Sequence, residues 1–289
     1  MAGQAHTQST ASSVFDFLGE PMRRLMPLLA VVFLALAGVA PAQETLSDRQ
    51  GSRLAFVVTA ESYENAGQLR NPGRDGESFN GLLSDLGFEV TSVRDVDLAA
   101  MRRGSLRFGQ EAEEADYVLV FFAGHGVSLR RESRLLPTDA SLASERDVVR
   151  TSVALADLMA LAGNAKVLGM VFVDACRNDP RLPPAEGGRG VRILGDGAEV
   201  GLGPDVPTDA ELESLGTTFS GGGSYFVGLS TAAGHVAVDG TGLNSPFTTA
   251  LVAAIATGGS AEDIAGKVVD SVVRATNGYQ KPVFRIWRD

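Results

Sequence analysis

The sequence predicts an α/β fold: a mostly parallel central sheet of about six strands with helices on both faces. Three observations predict it. From Arg53 onward, short apolar runs alternate with segments of helical period. Runs such as Tyr117–Phe122 and Val167–Val173 are apolar at consecutive positions, as strands buried on both faces are. The two residues with the most chemical character, Cys176 and His125, each stand just past such a run, where parallel sheets gather their sites.

Leu54–Thr59 reads as the first strand. Asp75–Leu86 has helical spacing through Phe79, Leu82, Leu83 and Leu86, and Gly87 stops it. Phe88–Val93 is a second strand. Asp97 is placed to cap a helix over 98–113, with Leu98, Met101, Leu106 and Phe108 on its apolar side. Tyr117–Phe122 is a third strand. Residues 127–150 are mixed, with a short extended piece at Leu135-Leu136-Pro137. Ser152–Ala162 reads as a helix and 167–173 as a strand. The stretch 181–223 carries Pro183, Pro184, Pro204, Pro207 and many glycines, and reads as a loop or linker longer than compact domains usually hold. Tyr225–Leu229 is a strand, Pro246–Thr257 and Ala261–Ala275 are helices, and Val283–Trp287 is a final strand with the position of a sheet edge. No internal repeat is visible, and no glycine-rich phosphate loop follows a strand.

The N-terminal 42 residues read as a leader outside the fold. Met22-Arg23-Arg24 is a basic start, Leu25–Val39 is apolar apart from Pro27 and Gly38, and Ala40-Pro41-Ala42 offers a small-x-small cleavage site. Residues 22–42 thus have the plan of a secretory signal peptide, and Met22 competes with Met1 as the true start. The expectation is an exported protein, periplasmic or secreted. An uncleaved membrane anchor is the alternative, although the apolar run is short for a span. The folded domain is expected over 52–288.

The bulk composition is ordinary for a globular chain: 289 residues, 44% hydrophobic and 21% charged. A net charge of −10, with only three lysines and no basic run, speaks against a nucleic-acid partner. One cysteine and two histidines beyond the leader leave too few soft ligands for a zinc site, so no metal and no cofactor is expected. A carboxylate-held calcium or magnesium ion stays open.

The chemistry concentrates in two segments. Asp174-Ala175-Cys176-Arg177-Asn178-Asp179-Pro180 follows one strand run, and Ala123-Gly124-His125-Gly126, 51 residues upstream, follows another. A thiolate is a nucleophile, and an imidazole beside it can move its proton and later protonate a leaving amine. Gly124 and Gly126 allow close backbone approach. The amides of Gly126 and Cys176 are candidates for an oxyanion hole. The competing reading of Cys176 is a buried apolar thiol; flanking Asp174 and Arg177 count against it. A lone catalytic thiol in an exported protein is expected to be accessible and oxidation-sensitive. His235, in Ala233-Gly234-His235-Val236, reads as a solvated loop residue or one on the substrate side.

Phe121-Phe122-Ala123-Gly124-His125-Gly126 and Asp174-Ala175-Cys176-Arg177-Asn178 resemble the two catalytic motifs of caspase-like cysteine peptidases. Caspases carry Gln-Ala-Cys, then Arg, Gln or Gly, then Gly, with the histidine about 50 residues upstream. Here Asp174 stands for Gln and Asn178 for Gly, a pattern similar to the bacterial metacaspase or orthocaspase branch. Leu69-Arg70-Asn71-Pro72-Gly73-Arg74-Asp75 and Asn244-Ser245-Pro246-Phe247-Thr248 also resemble segments of that branch, and the likeness spans 52–288.

The resemblance implies a caspase-like three-layer sandwich and a Cys176–His125 dyad cutting peptide or protein substrates after Arg or Lys. It implies a specificity pocket holding Asp174 and Asp75, whose carboxylates suit a guanidinium. The competing readings are a helix N-cap for Asp75 and a purely structural carboxylate for Asp174. The serine common two places before the histidine is Ala123 here. Arg189 and Arg192, in the 181–223 stretch, become candidate self-cleavage sites, with an uncut flexible loop as the alternative. The rival functions are a catalytically silent caspase-fold protein that binds peptides or acts as a scaffold, and an Asp-specific hydrolase, against which Asp75 and Asp174 speak by like-charge repulsion. Oligomeric state, activation trigger, calcium dependence and natural substrate have no signature in the sequence.

Overall fold

The computed structural model describes residues 50–129, 131–178, 210–219 and 223–288. The leader over 1–42 and both candidate cleavage arginines, Arg189 and Arg192, lie outside the described residues.

Side-chain alternation along the strands divides the core in two. On β1 (Arg53–Thr59), Phe56 and Val58 face one cluster, and Ala55 and Val57 face the other. The same split holds on β3 (Tyr117–Ala123) and β7 (Leu168–Asp174), which are buried along almost their whole length. A strand with two buried faces needs a cover on each. One cover is α2 (Leu98–Ala112) with α4 (Leu155–Gly163), which supply Met101, Phe108, Leu158 and Met159. The other is α1 (Pro72–Asp85), α6 (Pro246–Thr257) and α7 (Ala261–Ala275), with Phe79, Leu83, Phe247, Leu251, Val268 and Val272.

The sheet runs β2-β1-β3-β7-β8-β9, with β2 at Glu89–Arg94, β8 at Ser224–Leu229 and β9 at Val283–Trp287. The first five strands are parallel, and β9 lies antiparallel to β8 as an edge. This is the expected six-stranded, helix-covered sheet.

Three segments depart from the sequence reading. Residues 127–150 contain a hairpin, β4 (Gly126–Leu129) and β5 (Glu132–Leu135), and a short helix α3 (Glu145–Arg150). The hairpin turn holds Arg131 at φ 68°, a left-handed position with no Gly or Asn to announce it. The expected helix 152–162 begins only at Leu155, because Val153–Ala154 forms β6 and pairs with β5. The stretch 181–223 is not one continuous loop, for Ala210–Phe219 forms α5. Its Ala-Glu-Leu-Glu-Ser-Leu start is a good helix sequence with acidic residues in the first turn. The prolines and glycines on either side obscured it.

Among the described residues no helix is long and apolar enough to cross a membrane.

Gly169 shows how tightly the sheet and α4 meet. A Cβ there would run into the carbonyl oxygen of Ala162 and sit 2.7 Å from Tyr225 Cδ2. Backbone cannot yield as a side chain does, so Gly169→Ala is expected to cost about 1–3 kcal/mol. Urea unfolding of the two proteins measures it, and an unchanged midpoint would contradict this packing.

Candidate active site

Strand register builds the site. In the parallel β3–β7 pair, Ala123 stands opposite Asp174, and the Gly124 amide donates to the Asp174 carbonyl at 3.1 Å. His125 and Cys176 each lie two residues beyond that last pair. The backbones stay in contact past the strand ends: a Cβ on Gly126 would sit 2.6 Å from the Cys176 carbonyl oxygen. Only glycine fits there, so Gly126 and Cys176, the two expected oxyanion donors, are brought together.

His125 is 3% exposed, and both its backbone and its ring are fixed. Its amide donates to the Tyr63 hydroxyl at 2.7 Å, and that hydroxyl donates to the Leu136 carbonyl at 3.0 Å. Its carbonyl accepts from the Leu136 amide at 3.0 Å. The imidazole lies against the Tyr63 ring with centroids 4.4 Å apart. Nε2 stands 2.7 Å from the Gly67 carbonyl oxygen. A carbonyl only accepts, so Nε2 carries the hydrogen, and in the neutral ring Nδ1 is the basic nitrogen.

Tyr63 is the principal residue that sequence reasoning missed. It is one aromatic in the polar run Glu61-Ser62-Tyr63-Glu64-Asn65, and its only signal is a place just beyond the end of β1. Asp95 holds that run. It sits at φ 51° and accepts from the amides of Glu61 (2.8 Å) and Ser62 (3.0 Å) and from the Ser62 hydroxyl (2.8 Å). Partial burial pushes the Asp95 pKa up, but these three bonds, with Arg94 nearby, outweigh it and leave the pKa below the ordinary carboxylate value.

Cys176 is 1% exposed and packs against Val236 and Ala237. The Ala237 amide donates to Sγ at 3.2 Å, and Sγ stands 3.6 Å from the Ala237 carbonyl. The expectation of an accessible thiol is therefore corrected. The segment after β8 crosses over it, pairing with Arg177 through Arg177 N–H to His235 C=O (3.0 Å) and Gly234 N–H to Arg177 C=O (2.8 Å). His235 itself is exposed, as a solvated loop residue would be.

Both expected pocket carboxylates are fully buried and converge on the start of α6. Asp75 accepts from the Asn244 side chain (3.1 Å) and the Ser245 amide (2.9 Å). Asp174 accepts from the Ser245 hydroxyl in a short bond and from the Thr248 hydroxyl at 3.2 Å. The Ser245 hydroxyl also caps α6 by accepting from the Thr248 amide at 2.9 Å. A helix N-terminus carries partial positive charge and suits two carboxylates. The N-cap reading of Asp75 does not hold. Asn71 occupies that position with Pro72 following, and Asp75 lies inside α1.

Arg177 turns away from this pocket. Its buried guanidinium pairs with Glu211 of α5 at 2.9 Å and donates to the Ser133 hydroxyl of β5 at 3.0 Å. Beyond Asn244 a groove of about 630 Å³ opens between the 238–242 loop, α6 and Tyr279. Among the described residues no cluster of three or more His, Cys, Asp or Glu is placed to hold a metal.

A family model described as the caspase domain matches residues 52–286, and the chain belongs to that family. Among solved structures, a structural-genomics protein from Geobacter sulfurreducens superposes with a TM-score of 0.53 at 17% identity, over 81% of this chain and 93% of its own. Caspase-1 from Spodoptera frugiperda superposes with a TM-score of 0.51 at 17% identity, over 82% of this chain and 85% of its own. At these identities the likeness is one of fold. No curated protein matches the sequence.

Asp95 gives the site an acid-sensitive support. Its pKa is lowered in the folded state, so its stabilisation is complete above the unfolded value and is lost as pH falls through the lower folded one. Asp95→Asn tolerates the left-handed backbone but cannot titrate. The wild type is expected to be about 1–2 kcal/mol more stable than this variant at pH 7, and the gap should close as pH falls below the ordinary carboxylate range. Denaturant titrations across that range check it; a pH-independent gap would contradict it.

Proposed function

We propose that this caspase-domain protein is a cysteine endopeptidase, with Cys176 as nucleophile and His125 as its proton-transfer partner. The observation that carries the reading is the shared register. The thiol and the imidazole stand two residues beyond one paired strand end, with Gly126 pressed against Cys176. The Gly67 carbonyl at Nε2 supports Nδ1 as the nitrogen that takes the proton.

In this mechanism Sγ, once deprotonated by Nδ1, attacks the scissile carbonyl carbon. The carbonyl oxygen takes the negative charge, and the amides of Gly126 and Cys176 receive it. The C–N bond breaks as the imidazolium returns its proton to the amine, leaving a thioester on Cys176. Water, deprotonated by the same nitrogen, then hydrolyses the thioester and restores the thiol.

The substrate class we propose is peptide or protein cut after Arg or Lys, as in the metacaspase or orthocaspase branch. Buried Asp75 and Asp174, which converge on the start of α6, support it, since a desolvated carboxylate pair favours a cation with several donors. Their bonds to Ser245 favour a second reading, in which both carboxylates only anchor the start of α6. Substitution separates the two. Self-cleavage after Arg189 or Arg192, and export by the N-terminal leader, belong to the same proposal.

Cys176→Ala is expected to abolish hydrolysis of a fluorogenic Arg-peptide, and His125→Ala to lower kcat about 10²–10⁴-fold. Turnover by Cys176→Ala would overturn the mechanism. Asp174→Asn is expected to raise KM for the Arg-peptide and to erase its advantage over an uncharged analogue. If Asp174 only anchors α6, the thermal midpoint falls while that preference survives.

During storage at neutral pH, the wild-type chain is expected to yield two fragments whose new ends map after Arg189 or Arg192, and Cys176→Ala to stay intact. The same pattern in both proteins would refute self-cleavage.

A further inference from the structure

We propose that Gln280 is a positioning residue for Cys176: it staples both ends of the segment Ser230–Val238, so that Ala237 closes over the thiol. Gln280 lies between α7 and β9, far from Cys176 in sequence, and is fully buried. Both halves of its side-chain amide go to this one segment. Nε2 donates to the Ser230 carbonyl at 2.8 Å, and Oε1 accepts from the Val238 amide at 3.0 Å. Its own backbone amide donates to the Thr276 hydroxyl at 3.1 Å, which anchors it to the end of α7.

Between the two clamps the segment follows a defined path. Ser230 extends the sheet by donating to the Val173 carbonyl at 2.8 Å, and its hydroxyl donates to the Ala175 carbonyl at 3.2 Å. Gly234 and His235 pair with the backbone of Arg177. Val236 and Ala237 then turn inward onto the sulfur, while Gly234 and His235 face water. At the thiol the segment acts as a strap whose inner side is Val236 and Ala237.

This arrangement has a chemical consequence. With Ala237 in place, a thiol hydrogen has a carbonyl to point at, and sulfur receives an amide hydrogen in return. That is a resting place for a neutral, shielded thiol. An electrophile approaching from the side of this segment must displace Ala237 before it meets Sγ. A strap held by a handful of hydrogen bonds opens at far lower cost than the domain unfolds. The significance of such gating for turnover rests on Cys176 being the nucleophile; the shielding itself does not.

The test is the rate at which iodoacetamide alkylates Cys176 in the folded full chain, read by mass and independent of any peptide turnover. Gln280→Met keeps the volume and removes both polar atoms. Gln280→Glu keeps the acceptor for Val238 and removes the donor to Ser230. Losing two ordinary hydrogen bonds should raise the open population, and so the alkylation rate, about ten- to thirty-fold in Gln280→Met, and at least as much in Gln280→Glu, whose second carboxylate oxygen would face the Ser230 carbonyl. Gly169→Ala, destabilised elsewhere, should label at the wild-type rate. Equal rates in wild type and folded Gln280→Met would overturn the proposal, as would an equal acceleration in Gly169→Ala. Hydrogen exchange on the wild type decides independently of whether the variants fold. Slow exchange at the Ala237 and Val238 amides supports the strap, and exchange at the rate of unstructured chain refutes it. A protected thiol in a protein without turnover would leave the strap standing and sink the peptidase reading alone.

Discussion

The pairing of β3 with β7 is the constraint on which the rest of the site depends. Parallel strands side by side deliver their C-terminal ends to the same level, and the last pair here joins Ala123 to Asp174. One residue further, the Gly124 amide still bonds across to the Asp174 carbonyl, so the strands part only after that point. His125 and Cys176 thus emerge together from a framework buried on both faces. A register slip of one residue would reverse which side chains face each helix layer. Phe121 and Phe172 would leave one core cluster and Phe122 and Val173 the other. The hydrophobic core therefore enforces the alignment of the two chemical groups.

Around that framework, the polar groups are held by segments distant in sequence, and each hold uses a buried partner. Asp75 in α1 and Asp174 at the end of β7 meet at Ser245, whose amide serves one, whose hydroxyl serves the other, and which also caps α6. A serine at a helix start is common for capping alone. Here the same residue joins three elements, so the orientation of α6 and that of both carboxylates are one problem. Arg177 plays a similar part on the other side, joining the residue after the thiol to β5 and α5 through Ser133 and Glu211. A buried ion pair adds little net stability against its desolvation, but breaking it leaves a lone charge inside. Such a pair ties Arg177, the residue after the thiol, to α5.

Legibility in the sequence follows the range of the interaction. The helices Pro246–Thr257 and Ala261–Ala275 and the strand Val283–Trp287 were readable to the residue, because capping serines, apolar period and flanking glycines are local signals. The places of Cys176, His125 and Asp174 at strand ends were readable because apolar runs precede them, whereas Asp75 reads as a helix start and lies a turn inside α1. The β4–β5 hairpin was not, since its turn uses Arg131 in place of a glycine and its stability comes from pairing. Helix α5 hid among prolines and glycines, and its buried Leu212 and the Glu211 pair are tertiary facts. Gln280 carried no signal, and Tyr63 only its place just beyond the end of β1. A tyrosine in a polar run and a glutamine before a lysine look like surface residues until their partners, His125 and the Ser230–Val238 segment, are known.

The burial of Cys176 then bears on how one site meets two opposed demands. A nucleophilic thiol gains from an amide donor and a nearby imidazole, which favour the thiolate, and the thiolate is also the form that oxidants attack. An apolar cover works the other way, since burial disfavours the charge. The two cannot act at once on an exposed sulfur, but they can act in turn if the cover moves. Ala237 presents both a carbonyl and an amide to Sγ, so the closed arrangement satisfies a neutral thiol without an unpaired polar group. The framework below, β3 and β7, is doubly buried, while the cover above is a strap with a solvent-facing side. In the proposed gate, motion is confined to the strap, and the placing of Cys176 and His125 is left to the doubly buried strands beneath it.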